Sequence, residues 1–536
     1  MAGSRKGEAG RPRVGRLWSR RPLWTSRVLG HPAAPLAFVA ALYGLAQLAF
    51  VGNGLRWGWD EMVYLSQVSP SLPDAAFTAP RARGITWLVA PVAFFSASPS
   101  VVRLWMTLLS STGLFVAYLP WLRVLAHRGH PAVVALAALL FAGLWVVQYY
   151  GGAVMPNLYV AYASVAATAF FLLAVRDPRA AGDPDVAASS RTAQGPLLGL
   201  AAGVAVAALL RPGDAVWLVL ALGLAWPAVR AWRRAAVLPA LVGGLALGLA
   251  PWIVEAYTRY GGLLHRVHEA SRIQGTLRPT WGVLHEFTAL NGPLLCRPCD
   301  IPVKYPYLVL WWLVLPFAAA GGVLVARRIG VAGPYGLACA AGAGLAAQYL
   351  FLVGYGAPRF LLPAYALLAL PVALLLVRLA WSRRSAAVVV GTAVAGQLVT
   401  QHLILDRRVE RSHAYRAGER AVAETLRRSG LSAPCVVGGP AATLPMAYEA
   451  GCGFRTFRRK ALTRPDERMA AYVTRVPEAA VAGWVSRSLR TADGRMWYLW
   501  LPAVRAGENA ETARPKPRGF AGSVPRVGFE PTLYGF

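Results

Sequence analysis

The residues best suited to chemistry in this sequence are two adjacent carboxylates, Asp60 and Glu61, in the stretch RWGWDEMVYLSQ directly after the first long apolar run. Trp57, Trp59 and Tyr64 flank them, and such aromatic residues hold a segment at a membrane–water interface. A carboxylate held at an apolar boundary is expected to bind its proton more tightly than usual, as suits a general base that faces a hydroxyl group. The pair is therefore predicted to act at the membrane surface, against the plainer alternative of an ordinary charged loop.

Arginine residues at predicted outer helix ends form a second candidate set. An interfacial arginine often does no more than extend its head group to water. The positive-inside rule, however, depletes arginine from outer helix ends, so several of them there need another reason. A phosphate group supplies one, because a guanidinium fork matches two phosphate oxygens. The candidates are Arg81 and Arg83 in TAPRARG, Arg211 in LLRPGD and Arg359 in YGAPRFLLP.

Long apolar runs must position these residues. Of the 536 residues 56% are hydrophobic and 15% are charged, and the mean hydropathy is +0.44. Apolar runs of roughly 17–25 residues recur along most of the chain, and each is long enough to cross the hydrocarbon core of a bilayer as a helix. A water-soluble protein could not bury so many of them in one core. The sequence therefore predicts an all-α polytopic membrane protein.

The loops between the runs predict the topology. With the arginine-rich N-terminus placed in the cytoplasm, every predicted inner loop carries clustered arginine. This loop pattern explains the net charge of +31 better than a nucleic-acid surface does. The alternation puts WDE, RPGD, EAYTRY and GAPRF on the outer face. The eleven or so predicted spans are residues 33–51, 102–122, 131–150, 157–175, 196–210, 215–229, 236–254, 306–326, 331–353, 360–378 and 386–405.

The sequence after the last predicted span indicates a small α/β domain. HAYRAGERAVAETLRRSG predicts an amphipathic helix that ends at Gly430, PCVVGG predicts a short strand, and Asp493-Gly494 predicts the turn of a hairpin. The predicted parts are a basic cytoplasmic tail at 1–30, a membrane domain at 31–405 with its first outer loop at about 52–101, an extracytoplasmic α/β domain at 406–502, and a disordered tail at 503–536.

Cysteine and histidine residues predict no metal site. Cys296 and Cys299 lack a second pair of matching spacing, and the histidines of the long outer loop are not spaced as ligands. Whether Cys435 and Cys452 form a disulfide stays open at this point. The histidines concerned are His265, His268 and His285.

The order of these motifs resembles the GT-C superfamily, integral-membrane glycosyltransferases that use polyprenyl-phosphate sugars and include protein O-mannosyltransferases and lipid A aminoarabinose transferases. The resemblance covers about residues 30–405. It rests on an acidic pair in the first outer loop, an MPN turn after the third span, RPGD after the fifth and APRFLLPAY opening a late span. The small outer domain is also similar to that of many bacterial members.

The resemblance implies the roles of individual residues. Asp60 would be the catalytic carboxylate, with Glu61 beside it in the same motif, and the enzyme would invert the anomeric carbon. Arg359 would contact the donor phosphate with Arg211 in support, while Arg81 and Arg83 stay candidates for a phosphate from the positive-inside argument alone. The motifs also contain residues predicted to position the substrate, which are Tyr64, Asn157 and Tyr355.

The resemblance also implies the partners, which are a polyprenyl-phosphate sugar, membrane lipids and a glycan, lipid or protein acceptor, with no nucleic acid. TAPRARG stands where related branches have a His-Pro-rich segment, so the acceptor class stays open. No cofactor is predicted, and a divalent cation between Asp60 and the phosphate stays open. The predicted location is the plasma membrane, with the N-terminus in the cytoplasm and the C-terminal domain outside.

The alternative function is a transporter or flippase of a lipid-linked or anionic solute. A transporter is expected to place polar residues near the bilayer midplane. The predicted span interiors contain few ionisable side chains, and the polar residues gather at one rim. This distribution favours surface chemistry. A structural or sensory membrane protein would leave the rim arginines unexplained.

Overall fold

The computed structural model of the protein describes residues 31–52, 54–126, 131–176, 190–291, 293–297, 299, 301–456, 470–475 and 484–502. The tails predicted at 1–30 and 503–536 lie outside the described residues. Seven of the described helices are long and apolar enough to cross a membrane, and one bent helix pair adds an eighth if it counts as one span. The predicted all-α polytopic membrane protein with a small C-terminal α/β domain is confirmed.

Helical segments coincide with each of the eleven predicted spans, and further short helices lie in the outer loops. The helices are α1 (Ala34–Ala46, extended by a π-helical turn at Gln47–Val51), α2 (Trp59–Leu65), α3 (Gly84–Ala93), α4 (Pro99–Val124), α5 (Pro131–Ala142), α6 (Trp145–Gly151), α7 (Pro156–Ala174), α8 (Ser190–Leu210), α9 (Pro212–Ala228), α10 (Val237–Arg259), α11 (Leu263–Gln274), α12 (Val283–Asn291), α13 (Leu310–Arg328), α14 (Ala332–Phe351), α15 (Leu362–Ala380), α16 (Arg384–Arg428) and α17 (Leu444–Glu449).

Proline residues fix where several spans begin. α4, α7 and α9 start at Pro99, Pro156 and Pro212. Proline suits the first helical position because its missing N–H would have no intrahelical partner there. Pro156 directly precedes Asn157, and Pro212 directly follows Arg211. The prolines therefore place these two polar residues at the ends of their helices.

α7 and α15 form the centre of the bundle, because 83% and 67% of the residues in their apolar 18-residue stretches are buried. In the corresponding stretches of α10 and α13 only 22% of the residues are buried, so these helices lie at the edge. α10 packs closely on α8 through Gly244 and Gly248. A Cβ atom at either glycine would collide with the backbone oxygen of Ala201 or Ala205. Small residues four apart allow such close approach of membrane helices without a hydrophobic driving force.

The C-terminal unit is a five-stranded mixed sheet in the order β2-β1-β3-β5-β4. β1 pairs in parallel with β2 and β3, and β5 pairs in antiparallel fashion with β3 and β4. The predicted hairpin is present, and Gly494 takes the positive φ of 83° that its turn needs. A disulfide joins Cys435 to Cys452. The strands are β1 (Val436–Gly439), β2 (Gly453–Thr456), β3 (Ala471–Thr474), β4 (Trp484–Arg490) and β5 (Met496–Pro502).

One helix joins the membrane domain to the sheet. α16 has 45 residues, so it is about 68 Å long and far exceeds the thickness of a bilayer core. The predicted last span and the predicted amphipathic helix are therefore two halves of one helix, which passes residue 406 without a break. Its far half carries the predicted apolar stripe, in which Val422 and Leu426 are fully buried.

Candidate functional site

A cavity of about 1460 Å³ lies at the end of the bundle where the predicted outer segments meet. Its walls come from the first outer loop, the turns before α7 and α9, the segment between α10 and α13, the turn before α15 and the far half of α16. None of the described arginines of the predicted inner loops lines it. The segments predicted to share one face thus gather in one place.

Asp60 lies on α2 and reaches the cavity between two arginines. Its Oδ1 accepts a hydrogen bond from Arg81 Nη2 at 2.7 Å, and its Oδ2 accepts one from Arg359 Nη2 at 3.3 Å. Burial alone would raise the pKa of Asp60, but the charges of Arg81 and Arg359 outweigh burial and hold the pKa below its usual value. The expectation of tighter proton binding is therefore wrong for this structure, because the sequence did not reveal that two guanidinium groups would reach the carboxylate.

Glu61 points away from Asp60 into a buried ion pair with Arg103. Its Oε1 and Oε2 accept hydrogen bonds of 2.8 and 2.9 Å from Arg103, and the backbone amides of Gly58 and Val154 donate to it at 2.7 and 3.0 Å. Both carboxylate oxygens are thus fully engaged, and the side chain is only 9% exposed. This arrangement suits a residue that holds α2 in place beside the turn before α7.

Arg103 was not among the site residues predicted from the sequence. Besides Glu61, it donates to the carbonyls of Leu55, Arg56 and Gly152 at 2.8, 3.1 and 2.9 Å, so one side chain joins the first outer loop to the turn before α7. Arg103 lies in the first turns of α4, at an outer helix end. The depletion argument that selected the other rim arginines would have selected it as well.

Arg359 lies in the turn before α15, and hydrogen bonds to two other segments fix its side chain. Its Nη1 donates to Tyr150 Oη at 3.3 Å and to the carbonyl of Leu294 at 3.2 Å. The turn itself is fixed by Glu286, whose Oε1 accepts a hydrogen bond of 3.1 Å from the amide of Ala357. Burial raises the pKa of Glu286 to about 8. Glu286 was also missed by the sequence analysis, and no signal in its surroundings distinguished it from other loop acids.

Arg211 lines the same cavity but has its own acidic partner. Its Nε lies 2.7 Å from Asp214 Oδ2, and its Nη2 donates to Tyr349 Oη at 2.8 Å. Tyr349 and Gln348 of α14 donate in turn to Asp214 Oδ1. The RPGD motif thus forms a local ion pair at the start of α9, and α14 fixes its orientation.

Arg83 lies outside the cavity lining. Its Nη2 is 2.6 Å from Glu255 Oε1, and its Nη1 donates to Gln67 at 3.0 Å. The fully buried Arg266 pairs with the other oxygen of Glu255 at 2.9 Å and also donates to the carbonyl of Arg81 at 3.0 Å. This cluster fixes the loop that carries Arg81, and the structure gives Arg83 no direct route to a ligand in the cavity.

The three residues predicted to position the substrate all line the cavity. Tyr64 lies under Arg81, whose guanidinium carbon is 4.9 Å from its ring centre. Tyr355 lies under Arg297 at 4.8 Å. Asn157 is 1% exposed, and among the described residues neither polar atom of its amide has a hydrogen-bond partner. Since buried polar atoms normally find partners, the Asn157 amide is free to bind a ligand.

Charge and apolar surface divide the cavity. Among the described residues that line it, eleven side chains are basic and four are acidic, a formal surplus of seven positive charges. Beside Arg211 the wall becomes apolar, with Val216 and Trp217 of α9 and Leu249 and Ile253 of α10. The cavity therefore combines a positively charged interior, which suits an anion, with an apolar side wall.

The site is a poor match for a divalent cation. Among the described residues, no group of three or more His, Cys, Asp and Glu side chains converges as metal ligands would. Asp60 stands between arginines, and Glu61 is committed to Arg103, so the donor set is one carboxylate surrounded by positive charge. Hard cations need several oxygen ligands. Cys296 and Cys299 are joined to each other by a disulfide.

No protein-family model matches the sequence, and no curated protein matches it. Among solved structures, the protein is similar to ArnT from Cupriavidus metallidurans bound to undecaprenyl phosphate, with a TM-score of 0.61 and 13% identity over 88% of this chain and 99% of that chain. The apo state of that ArnT matches with a TM-score of 0.57 and 13% identity over 86% and 97%.

The archaeal oligosaccharyltransferase AglB from Archaeoglobus fulgidus, in complex with an inhibitory peptide and a dolichol-phosphate, is also similar. Its TM-score is 0.52, with 12% identity over 86% of this chain and 74% of that chain. Identities this low establish the fold alone. The predicted GT-C-like fold is confirmed.

Proposed function

We propose that this chain, which has the GT-C fold, is a membrane glycosyltransferase that moves a sugar from a polyprenyl-phosphate donor to a hydroxyl acceptor with inversion. The observation that carries the proposal is the pairing of Asp60 with Arg81 and Arg359, residues distant in sequence, inside one cavity at the end of the bundle. Similar solved structures hold undecaprenyl phosphate or dolichol-phosphate, which supports a lipid phosphate as the donor here.

The donor phosphate would compete with Asp60 for its arginines. Arg81 and Arg359 are well placed to bind phosphate oxygens, and Arg81 Nε has no hydrogen-bond partner among the described residues. The Arg359–Asp60 contact of 3.3 Å is long for an ion pair and is easily exchanged. Once the guanidinium groups turn to the phosphate, Asp60 loses the charges that lower its pKa and becomes a stronger base. Donor binding would thus activate the base.

The transfer step follows from this exchange. Asp60 takes the proton of the acceptor hydroxyl while the acceptor oxygen forms a bond to the anomeric carbon. The bond from that carbon to the phosphate oxygen breaks, and the polyprenyl phosphate leaves with the electron pair as a dianion next to Arg81 and Arg359. Attack from the face opposite the phosphate inverts the anomeric carbon. Asp60 then releases its proton to water.

The apolar wall supports a lipid-borne donor. Val216 and Trp217 of α9 and Leu249 and Ile253 of α10 line the cavity, and α9 begins directly after Arg211. A polyprenyl tail against these apolar side chains would stay in contact with the hydrocarbon while its phosphate reaches the arginines. Helix ends and short loops are the only backbone available at that height, because unsatisfied peptide groups are excluded from lipid.

The proposal is tested with the full chain in nanodiscs and a panel of polyprenyl-phosphate sugars. Released polyprenyl phosphate is the measured product. Arg359→Gln is expected to lower kcat/KM for the donor about 10- to 100-fold, the value of a lost hydrogen bond to a charged group. Arg278→Gln is the control, because Arg278 is an exposed arginine of the outer segment between α11 and α12 and does not line the cavity, and it is expected to leave kcat/KM almost unchanged. Absence of donor cleavage across the panel would refute the proposed function.

The orientation of the site is part of the same proposal, with the cavity and the sheet on the extracytoplasmic side. The Cys435–Cys452 disulfide supports this side, because disulfides persist in oxidising compartments. In a Cys339→Ser background, a membrane-impermeant maleimide added to intact cells is expected to label Asp74→Cys, in the first outer loop. It is expected to miss Ser382→Cys, in the exposed turn between α15 and α16. The reverse pattern would invert the topology.

A further inference from the structure

A cationic face of α16 lines the cavity, in addition to the groups assigned to the reaction. Residues three or four apart on a helix share one face, and this face points into the cavity along three turns. We refer to it as the α16 stripe. It consists of Arg408, Arg411, Ser412, Tyr415, Arg416 and Glu419.

Arg408 is the unusual member of the α16 stripe, because it is only 8% exposed and lacks a carboxylate partner among the described residues. Among the described residues, neither Arg408 nor Arg411 forms an ion pair, and neither donates a hydrogen bond to a protein acceptor. Arg416, by contrast, pairs with Glu419 at 2.7 Å. A buried charge without a partner is costly.

Four other arginines of the cavity have carboxylate partners, and Arg297 donates a hydrogen bond of 3.2 Å to the carbonyl of Ile273. Asp60 serves Arg81 and Arg359, Glu61 serves Arg103, and Asp214 serves Arg211; the ion pairs measure 2.7, 3.3, 2.8 and 2.7 Å. Arg408 departs from this pattern although it shares the cavity. The missing counter-charge is therefore most simply supplied by a ligand.

A pair of tyrosines connects the α16 stripe to the reacting groups. Arg359 donates to the hydroxyl of Tyr150 at 3.3 Å, and the hydroxyl of the adjacent Tyr149 shares a hydrogen bond of 2.8 Å with Ser412. The two rings pack edge to face with centres 5.2 Å apart. An anion at Arg408 would thus be distinct from a donor phosphate at Arg359 and would lie across the tyrosines from it.

We propose that the α16 stripe is the acceptor subsite and that the acceptor carries a phosphate or phosphodiester group, which Arg408 and Arg411 bind. This inference rests on the proposed transferase function. With its phosphate at the α16 stripe, the acceptor would present a hydroxyl group across Tyr149 and Tyr150 toward Asp60. Two guanidinium groups one helical turn apart match a phosphate that accepts hydrogen bonds on several oxygens.

The test uses the full chain in phosphatidylcholine nanodiscs and two probes. Inorganic pyrophosphate, with binding measured by calorimetry, represents a soluble source of the phosphate group. Phosphatidylglycerol, with retention measured by native mass spectrometry, represents a lipid headgroup. Arg408→Gln and Arg411→Gln are each expected to weaken binding of one of the two probes about 10-fold, as for a lost hydrogen bond to a charged group. Arg411 is exposed, so its variant is expected to fold normally.

The matched control is Arg420→Gln, an exposed arginine of the same helix that pairs with Glu424 at 2.7 Å and does not line the cavity. It is expected to leave probe binding unchanged. A loss of pyrophosphate binding identifies a soluble phosphate, and a loss of phosphatidylglycerol retention identifies a lipid headgroup; either supports the inference. Unchanged binding of both probes in both variants overturns it.

Hydrolysis of the donor by water, without any acceptor, separates this inference from the proposed function. Arg408→Gln and Arg411→Gln are expected to keep that hydrolysis, because neither residue contacts Asp60 or its arginines. If hydrolysis proceeds while probe binding is unaffected by the variants, the acceptor inference fails and the transferase proposal stands. If the unaltered chain cleaves no donor, the transferase proposal fails, whatever the probes show.

Discussion

Replacing Asp60 with asparagine is expected to lower kcat for sugar transfer by about 10²- to 10⁴-fold, the usual contribution of a general base. The asparagine keeps the shape of the side chain but cannot take the proton of the acceptor hydroxyl. It also releases Arg81 and Arg359, which Asp60 holds at 2.7 and 3.3 Å. Because a donor phosphate would no longer compete with a carboxylate for these arginines, KM for the donor is expected to stay constant or fall. Steady-state kinetics in nanodiscs measures both values.

The split between kcat and KM is what distinguishes a base from a residue that only maintains the site. A loss of structure would raise KM and lower the apparent melting temperature together with kcat. Asp74→Asn, in the same outer loop but exposed, is the control and is expected to retain wild-type kinetics. Full transfer activity of Asp60→Asn at normal expression would remove Asp60 from the mechanism.

Residue type and membrane side were enough to predict much of the site. Asp60, Arg81, Arg211 and Arg359 all line the cavity. The arginines were selected because the positive-inside rule depletes arginine from outer helix ends, and Asp60 was selected because aromatic residues hold its segment at the membrane interface. This reasoning needs only the parity of the spans, and parity depends on apolar runs that a sequence displays directly. The same reasoning cannot distinguish two candidate residues whose side chains differ only in the direction in which they point.

Arg81 and Arg83 show this limit. They are two residues apart and were predicted for the same phosphate, yet Arg81 reaches Asp60 while Arg83 turns to Glu255. The difference depends on α10, which runs to Arg259 and carries Glu255 within the helix, whereas the sequence analysis ended that span at residue 254. Partners 172 residues apart cannot be matched from one sequence.

The helices within the long outer loop were not predicted from the sequence. The segment from Glu255 to Tyr305 was predicted to be a loop, and the structure places two helices in it, α11 and α12. α11 contributes Leu263 and Val267 to the cavity wall, and α12 contributes Glu286 beneath the turn of Arg359. Short amphipathic helices gain most of their stability from tertiary packing, so their local signal is weak.

Neutralising one side of the Glu61–Arg103 pair is expected to destabilise the fold by about 3–5 kcal/mol, because it leaves the other charge buried and unpaired. The two side chains are 9% and 3% exposed and are joined by hydrogen bonds of 2.8 and 2.9 Å. Arg103→Gln is expected to cost more than Glu61→Gln, since Arg103 also serves three backbone carbonyls. The apparent melting temperature in nanodiscs, at one fixed heating rate, is expected to fall by several degrees in each variant.

The double variant Glu61→Gln with Arg103→Gln decides whether the pair acts as a unit. Its loss of stability is expected to be smaller than the sum of the two single losses, because the second substitution removes the charge that the first left unpaired. Glu269→Gln is the control, as its ion pair with Arg272 is largely exposed and contributes at most about 1 kcal/mol. If Glu61→Gln instead kept its melting temperature and lost only kcat, Glu61 would belong to the chemistry with Asp60 rather than to the support of α2.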